Sequence, residues 1–211
     1  MFERGMVKVI DNFIELKYQE SIKEEMFGSF DRNGEWQQPD FPWFYSEDVT
    51  AAGDPDSQHR PAMCHQYVEY IKEKTAGRVI SEYNDIFTNL LKKVGLELGL
   101  YNINILQGRS FLQFPILKER KEPDLPHIDL FNRSHIVALY YIIDSDGDTI
   151  IYNEREDQGI DASLYTIKQK VTPKQGRIVI FDGGLYHTAE QPLNSTRCIA
   201  NYNITWWEKN L

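Results

Sequence analysis

Residues 177–206 read RIVIFDGGLYHTAEQPLNSTRCIANYNITW. Arg177–Phe181 is a β-branched and aromatic run of strand length, and Thr196–Trp206 is a longer one. Asp182-Gly183-Gly184 marks a tight turn after the first run. The two glycines would let the backbone turn and aim His187 back at the core.

Working outward, the same texture fills the rest of the second half. Tyr101–Leu106, Ser110–Leu117, Ser134–Ile143, Thr149–Asn153 and Leu164–Val171 are strand-length apolar or β-branched runs, with turn signals at Asp144–Asp148 and Thr172–Gly176. Short, regular strands of this kind predict an antiparallel sandwich or jelly-roll barrel. Before Gly99 the reading changes. Ile86, Phe87, Leu90, Leu91, Val94 and Leu98 fall on one face of a helix over 82–98, with Gly99 as its stop. Ile22, Met26 and Phe30 give helical spacing over Gln19–Phe30, and Met6–Ile10 is a candidate strand. The expected architecture is mainly β with N-terminal helices: one domain over 1–211, with helical and loop support in 1–99 and a jelly-roll core in 100–207. The stretch from Asn33 to Pro61 carries Trp36, Phe41, Trp43, Phe44 and Tyr45, too many aromatics for a linker. It reads either as a lid over a site or as an aromatic staple fixing the first helix to the barrel.

Of 211 residues, 23 are Lys or Arg and 32 are Asp or Glu, a net charge of −9. Such an acidic surface disfavours nucleic-acid partners. Cys64 and Cys198 lie far apart and read as reduced thiols. No signal-like or membrane-length apolar run is present, so a soluble, cytoplasmic protein is expected. The oligomeric state is left open.

There are five histidines, His59, His65, His127, His135 and His187, and only His127 has a carboxylate two residues on, in Pro126-His127-Ile128-Asp129. In extended backbone, positions i and i+2 point the same way, so His127 and Asp129 can converge on one cation. With His187 from a distant strand, they form two histidines and one carboxylate, a ligand set associated with non-haem Fe(II) oxygenases. Alone, His-x-Asp is equally a surface pair. Arg197, set among uncharged residues, either reaches the surface or is buried and needs an anion. His135 reads as structural; His59 and His65 receive no role. Asp144, Asp146 and Asp148 lack the glycine and glutamate positions of a calcium loop and read as a hairpin turn.

Together these pieces resemble the 2-oxoglutarate/Fe(II)-dependent dioxygenases, prolyl 4-hydroxylase-like branch, over roughly residues 101–206, with a texture like small phage and marine-bacterial members. The resemblance rests on the order and spacing of His127, Asp129, His187 and Arg197, on Tyr140-Tyr141 before an Asp- and Gly-rich turn, and on the strand Gly176–Phe181. It implies a double-stranded β-helix, with Fe(II) on His127, Asp129 and His187. The distal carboxylate of the co-substrate 2-oxoglutarate would lie on Arg197, aided by Tyr141. O₂ would be the oxidant and ascorbate a candidate reductant. The implied reaction hydroxylates a peptidyl (prolyl at family level) residue or a small metabolite, releasing succinate and CO₂. Two features depart from the family. The strand before His-x-Asp offers Arg109, Phe111 and Gln113 on one face where many relatives place a tyrosine. Position 203 is Asn where the superfamily's nucleic-acid demethylases commonly have a second arginine. Two other classes fit the residues: a cupin-like metal enzyme that does not use 2-oxoglutarate, and a non-catalytic β-sandwich binding or structural module.

Overall fold

The structure is a computed structural model that describes residues 3–49, 60–100, 102–115 and 123–206. His59 and the end of the run expected at Ser110–Leu117 lie outside the described residues.

Thirteen strands are named here in chain order among the described residues. They are β1 (Val7–Ile10), β2 (Ser29–Phe30), β3 (Trp36–Gln37), β4 (Phe44–Ser46), β5 (Ala62–Glu69), β6 (Arg78–Val79), β7 (Ile103–Gln113), β8 (Ile136–Tyr141), β9 (Thr149–Arg155), β10 (Ile167–Val171), β11 (Ile178–Asp182), β12 (Leu185–Ala189) and β13 (Arg197–Trp206). Two helices, α1 (Leu16–Phe27) and α2 (Thr88–Leu98), precede the core. The large sheet runs β1-β11-β8-β13-β7-β5-β4, with β6 beside β5. A small sheet runs β10-β9-β12, and β2 pairs with β3. All pairings are antiparallel.

Strand β8 shows why the fold forms. All six of its residues are buried, because it is covered on both faces. Ile136, Ala138 and Tyr140 pack toward the helices, with Ile22 and Met26 of α1 and Leu90, Val94 and Leu98 of α2. Val137, Leu139 and Tyr141 face the small sheet and meet Ile151, Val171 and Leu185. Period-2 alternation thus splits one apolar run between two cores. Strand β13 divides the same way: Cys198, Ala200, Tyr202 and Ile204 join the helix-side core, and Ile199 joins the core between the sheets. The result is the jelly-roll arrangement expected from the sequence.

Several elements differ from the sequence reading. Within the described residues, the runs expected at Tyr101–Leu106 and Ser110–Leu117 merge into one strand, β7 (Ile103–Gln113), whose Gly108 is strand interior rather than a break. A Cβ there would lie 2.5 Å from the Tyr202 ring, so the glycine makes room for that packed aromatic. The helix expected over 82–98 begins as a 3₁₀ segment, Glu82–Phe87, capped by the Ser81 side chain. That tighter winding keeps Asn84 and Phe87, three residues apart, both buried. Helix α1 ends at Phe27, where Gly28 takes φ 84°, so Phe30 falls outside it and is 69% exposed. The first 99 residues also give the large sheet β1, β4, β5 and β6.

The aromatic stretch acts as a staple. Trp43 Nε1 donates to Met26 O at 3.2 Å, and buried Phe41 packs on Trp43, His65, Tyr67 and Tyr83. Both cysteines are free thiols, and no helix among the described residues is long and apolar enough to cross a membrane.

Candidate active site between the two sheets

Three cross-strand pairs of the large sheet form the floor of a cavity that opens between the sheets. Arg109 pairs with Asn201, Phe111 with Ile199 and Gln113 with Arg197. All six residues line the cavity, together with Leu139 of β8 and Thr149 of β9. The period of two therefore puts one charged or polar pair at each end and an apolar pair between them.

One end holds the candidate metal ligands. His127 and His187 form an isolated antiparallel bridge, each N–H donating to the other's carbonyl at 2.9 and 3.0 Å. This bridge fixes two segments that are 60 positions apart in sequence number (187 − 127). The pairing of β12 with β9 shifts register between Leu185 and His187, a local irregularity of the sort that re-aims a side chain. Each imidazole Nδ1 lies near the carbonyl two residues back, Leu125 O at 3.3 Å and Leu185 O at 3.2 Å. Donation from Nδ1 leaves Nε2 as the lone-pair nitrogen. Both Nε2 atoms stand 3.8 Å from an Asp129 carboxylate oxygen, and one donor atom from each of the three residues falls within 4.8 Å of the others. The chemistry of this donor set fits a divalent transition metal.

The Asp129 side chain is buried. Burial alone would raise its carboxyl, but the Arg109 charge, the two histidines and the Asn201 hydrogen bond outweigh it and hold it well below the usual carboxylate range. Arg109 Nη2 donates to Oδ1 at 2.6 Å, and Asn201 Nδ2 donates to Oδ2 at 2.9 Å. Burial, followed by the His127 charge, brings the His187 imidazole down to about 4, so it is neutral at pH 7.

Arg197 forms the other end. It is 3% exposed, and burial pushes its pKa down. Its Nε donates to Gly147 O at 2.9 Å, Nη1 to Gln113 Oε1 at 2.6 Å and Nη2 to Thr149 Oγ1 at 2.8 Å. All three acceptors are neutral, and no ion pair involves Arg197 among the described residues. Tyr141 is fully buried but is absent from the cavity wall. Its hydroxyl donates to Thr149 Oγ1 at 2.7 Å, so it reaches the cavity through Thr149. Asp124 also lines the cavity. Burial raises its carboxyl against the opposing hydrogen bond from Arg60, whose Nε lies at 2.8 Å, and Gln191 Nε2 donates to its other oxygen at 2.5 Å.

The structure thus brings His127, Asp129, His187 and Arg197 around one cavity and sets Tyr141 one residue behind it. His135 is buried, bonds Arg133 O and packs on Gly183, where a Cβ would sit 2.2 Å from its ring. The turn expected at 183–184 is present, although neither glycine has positive φ; at Gly183 it is space beside the His135 ring that a larger residue would take. Asp146 caps the chain at Leu193–Ser195 through its carboxylate. Sequence reasoning missed Thr149, Asn201 and Asp124 and left Arg109 and Gln113 unresolved. Asn201 was open to discovery, lying on the Arg197 face of β13 four residues on; Thr149 and Asp124 carry no sequence signal.

No protein-family model matches the chain, and no curated protein matches it. Solved structures do. A Pseudomonas putida prolyl-4-hydroxylase shares 16% identity at TM-score 0.51, covering 95% of this chain and 92% of its own. The non-heme alpha ketoglutarate dependent carbocyclase SnoK from nogalamycin biosynthesis shares 14% at TM-score 0.62, covering 95% and 79%. HygX from Streptomyces hygroscopicus, solved with nickel, 2-oxoglutarate and hygromycin B, shares 12% at TM-score 0.54, covering 97% and 86%. With two sheets around a histidine–aspartate–histidine cluster, this chain has the fold of the 2-oxoglutarate/Fe(II)-dependent oxygenases.

Proposed function

We propose that this protein is an Fe(II)- and 2-oxoglutarate-dependent dioxygenase that hydroxylates a peptidyl residue, with proline the family-level candidate, or a small metabolite. The observation that carries this reading is a buried arginine that makes no ion pair among the described residues, facing a three-residue histidine–carboxylate cluster across one cavity. A buried cation whose direct hydrogen-bond partners are all neutral is costly, and the Asp124 and Asp148 charges act on it without pairing with it, so Arg197 is suited to an anionic ligand. Of its five N–H groups, three are engaged by neutral acceptors. One remains on each Nη, matching the two oxygens of a carboxylate. Thr149 Oγ1 accepts from both Arg197 and Tyr141, which leaves its own proton for the same carboxylate.

At the other end, His127, Asp129 and His187 would hold the metal, which supplies O₂ activation when bound. The remaining work belongs to the protein. The Leu125 and Leu185 carbonyls orient the imidazoles, and Asn201 and Arg109 orient the carboxylate. Phe111, Leu139 and Ile199 give an apolar middle that keeps water from the reacting carbon and suits a methylene chain. A cupin-like enzyme without 2-oxoglutarate would leave Arg197 without a role.

The test is an anaerobic titration of the protein with Fe(II) and then 2-oxoglutarate, monitored for the visible charge-transfer band of an iron-chelated 2-oxo acid. The band should form in the wild type, vanish in His127→Ala and need far more ligand in Arg197→Ala. Metal binding with no band would sink the 2-oxoglutarate assignment in favour of the cupin-like enzyme.

A further inference from the structure

Arg109 is a cation placed beside the carboxylate that should ligate a dication. Its Nη2 lies 2.6 Å from Asp129 Oδ1, the oxygen that faces His127 Nε2 at 3.8 Å. Its Cζ lies 5.1 Å from the Phe111 ring centroid, its side chain is 29% exposed, and its Nε is buried without a hydrogen-bond partner. Holding Asp129 does not require this charge. Asn201 already donates to the other carboxylate oxygen, and a neutral amide could replace the Arg109 donor.

A fixed positive charge here has two opposite effects. It repels a metal ion and shares that ion's anionic ligand, so the ion alone binds less tightly. It also attracts an anion that arrives at the metal. Arg109 and Gln113 occupy the same face of β7 four residues apart, roughly 13 Å of strand, and Gln113 is bonded to Arg197. If Arg197 holds the distal carboxylate of a dicarboxylic 2-oxo acid, the other carboxylate points toward the Arg109 end.

Resting on the function proposed above, we propose that Arg109 is a positioning residue coupling the two occupants of the site: it weakens binding of the metal ion alone and strengthens binding of 2-oxoglutarate once the metal is in place. Such a residue favours the loaded complex over a protein carrying only metal.

The experiment is calorimetric titration of the full chain with Mn(II), and then of the Mn(II)-saturated protein with 2-oxoglutarate. Wild type, Arg109→Gln and Arg109→Lys are compared, with Mn(II) paramagnetic resonance as a second readout. In Arg109→Gln, Mn(II) alone should bind about tenfold tighter and 2-oxoglutarate about tenfold weaker, within the usual range of coupling between sites. Arg109→Lys, which keeps the charge, should stay within about threefold of wild type in both steps. Weaker Mn(II) binding in Arg109→Gln would mean that Arg109 only braces Asp129, and unchanged 2-oxoglutarate binding would remove the coupling; either overturns the proposal. Should wild type bind no Mn(II) or no 2-oxoglutarate, the function itself fails, an outcome visible before any variant is compared. Should the Gln variant misfold, Arg109→Lys decides alone: loss of coupling with the charge retained refutes an electrostatic role.

Discussion

At the proposed metal end of the cavity, Asp129 lies against Arg109 and Asn201, and the histidine Nδ1 atoms rest on backbone carbonyls. At the far end, Arg197 is just as deeply buried, yet it meets only neutral acceptors. Charges are directly paired at one end, where Arg109 meets Asp129, and not at the other, where Arg197 makes no ion pair among the described residues. The difference teaches how the site divides its work. The paired end can be assembled by the fold alone and presents lone pairs to a cation. In the proposed reading, the unpaired end receives an anion, and that need would make it selective.

The largest expected break in this comparison comes from the metal end. Asp129→Ala and His187→Ala should each abolish Mn(II) binding in calorimetry, because two protein ligands cannot replace three. Asp129→Ala should also lower Tm, since it leaves Arg109 and Asn201 without their shared acceptor.

Next comes Arg197→Met. It should leave Mn(II) affinity within about threefold of wild type but weaken 2-oxoglutarate by two orders of magnitude or more, about 3 kcal/mol. The rise in Tm that 2-oxoglutarate gives the metal-loaded wild type should disappear with it. A parallel loss of metal would show that the two ends are not independent.

Thr149→Val and Tyr141→Phe sharpen the comparison further. Thr149 lines the cavity, whereas Tyr141 stands behind it. Thr149→Val should therefore raise the 2-oxoglutarate Kd by about tenfold and Tyr141→Phe by only a few-fold. The reverse order would place the tyrosine hydroxyl directly on the co-substrate.

The smallest effect is a pH dependence. Burial lowers His187 to about 4, below the 6.5 of a free imidazole. The unfolded chain therefore binds the extra proton first as pH falls. The stability contributed by the neutral buried form is complete above about pH 6.5 and is lost between there and about pH 4. Thermal melts of the metal-free protein should show Tm falling through this window, less steeply in His187→Gln; equal slopes would contradict the assignment.

Much of this was legible in the sequence. The apolar runs that became β8, β9, β11 and β13 were readable because period-2 alternation and turn residues are local signals. β5 was missed because its burial alternates irregularly and its pairing shifts between Gln66 and Val68. β12 was only half legible: His187 was expected on a strand, but Leu185 and Tyr186, following two glycines, read as the continuation of a turn, so the strand's bounds escaped. The merger of two runs into β7 escaped for a steric reason: only the Tyr202 ring explains why Gly108 sits inside a strand.

By itself, the sequence determined the fold class and the order of a possible ligand set, His127, Asp129, His187, then Arg197. These depend on residue type and on spacings of a few positions. Only the tertiary structure decided what each group faces. Arg197 meets Gln113 across 84 positions and Thr149 across 48, and Asn201 meets Asp129 across 72. Such pairs are set by strand register, and register follows from which face of every strand is buried. A one-residue slip would turn Arg197 and Asn201 away from the cavity together. No local stretch of chain encodes that choice, because it minimises exposed apolar surface over the whole sheet at once.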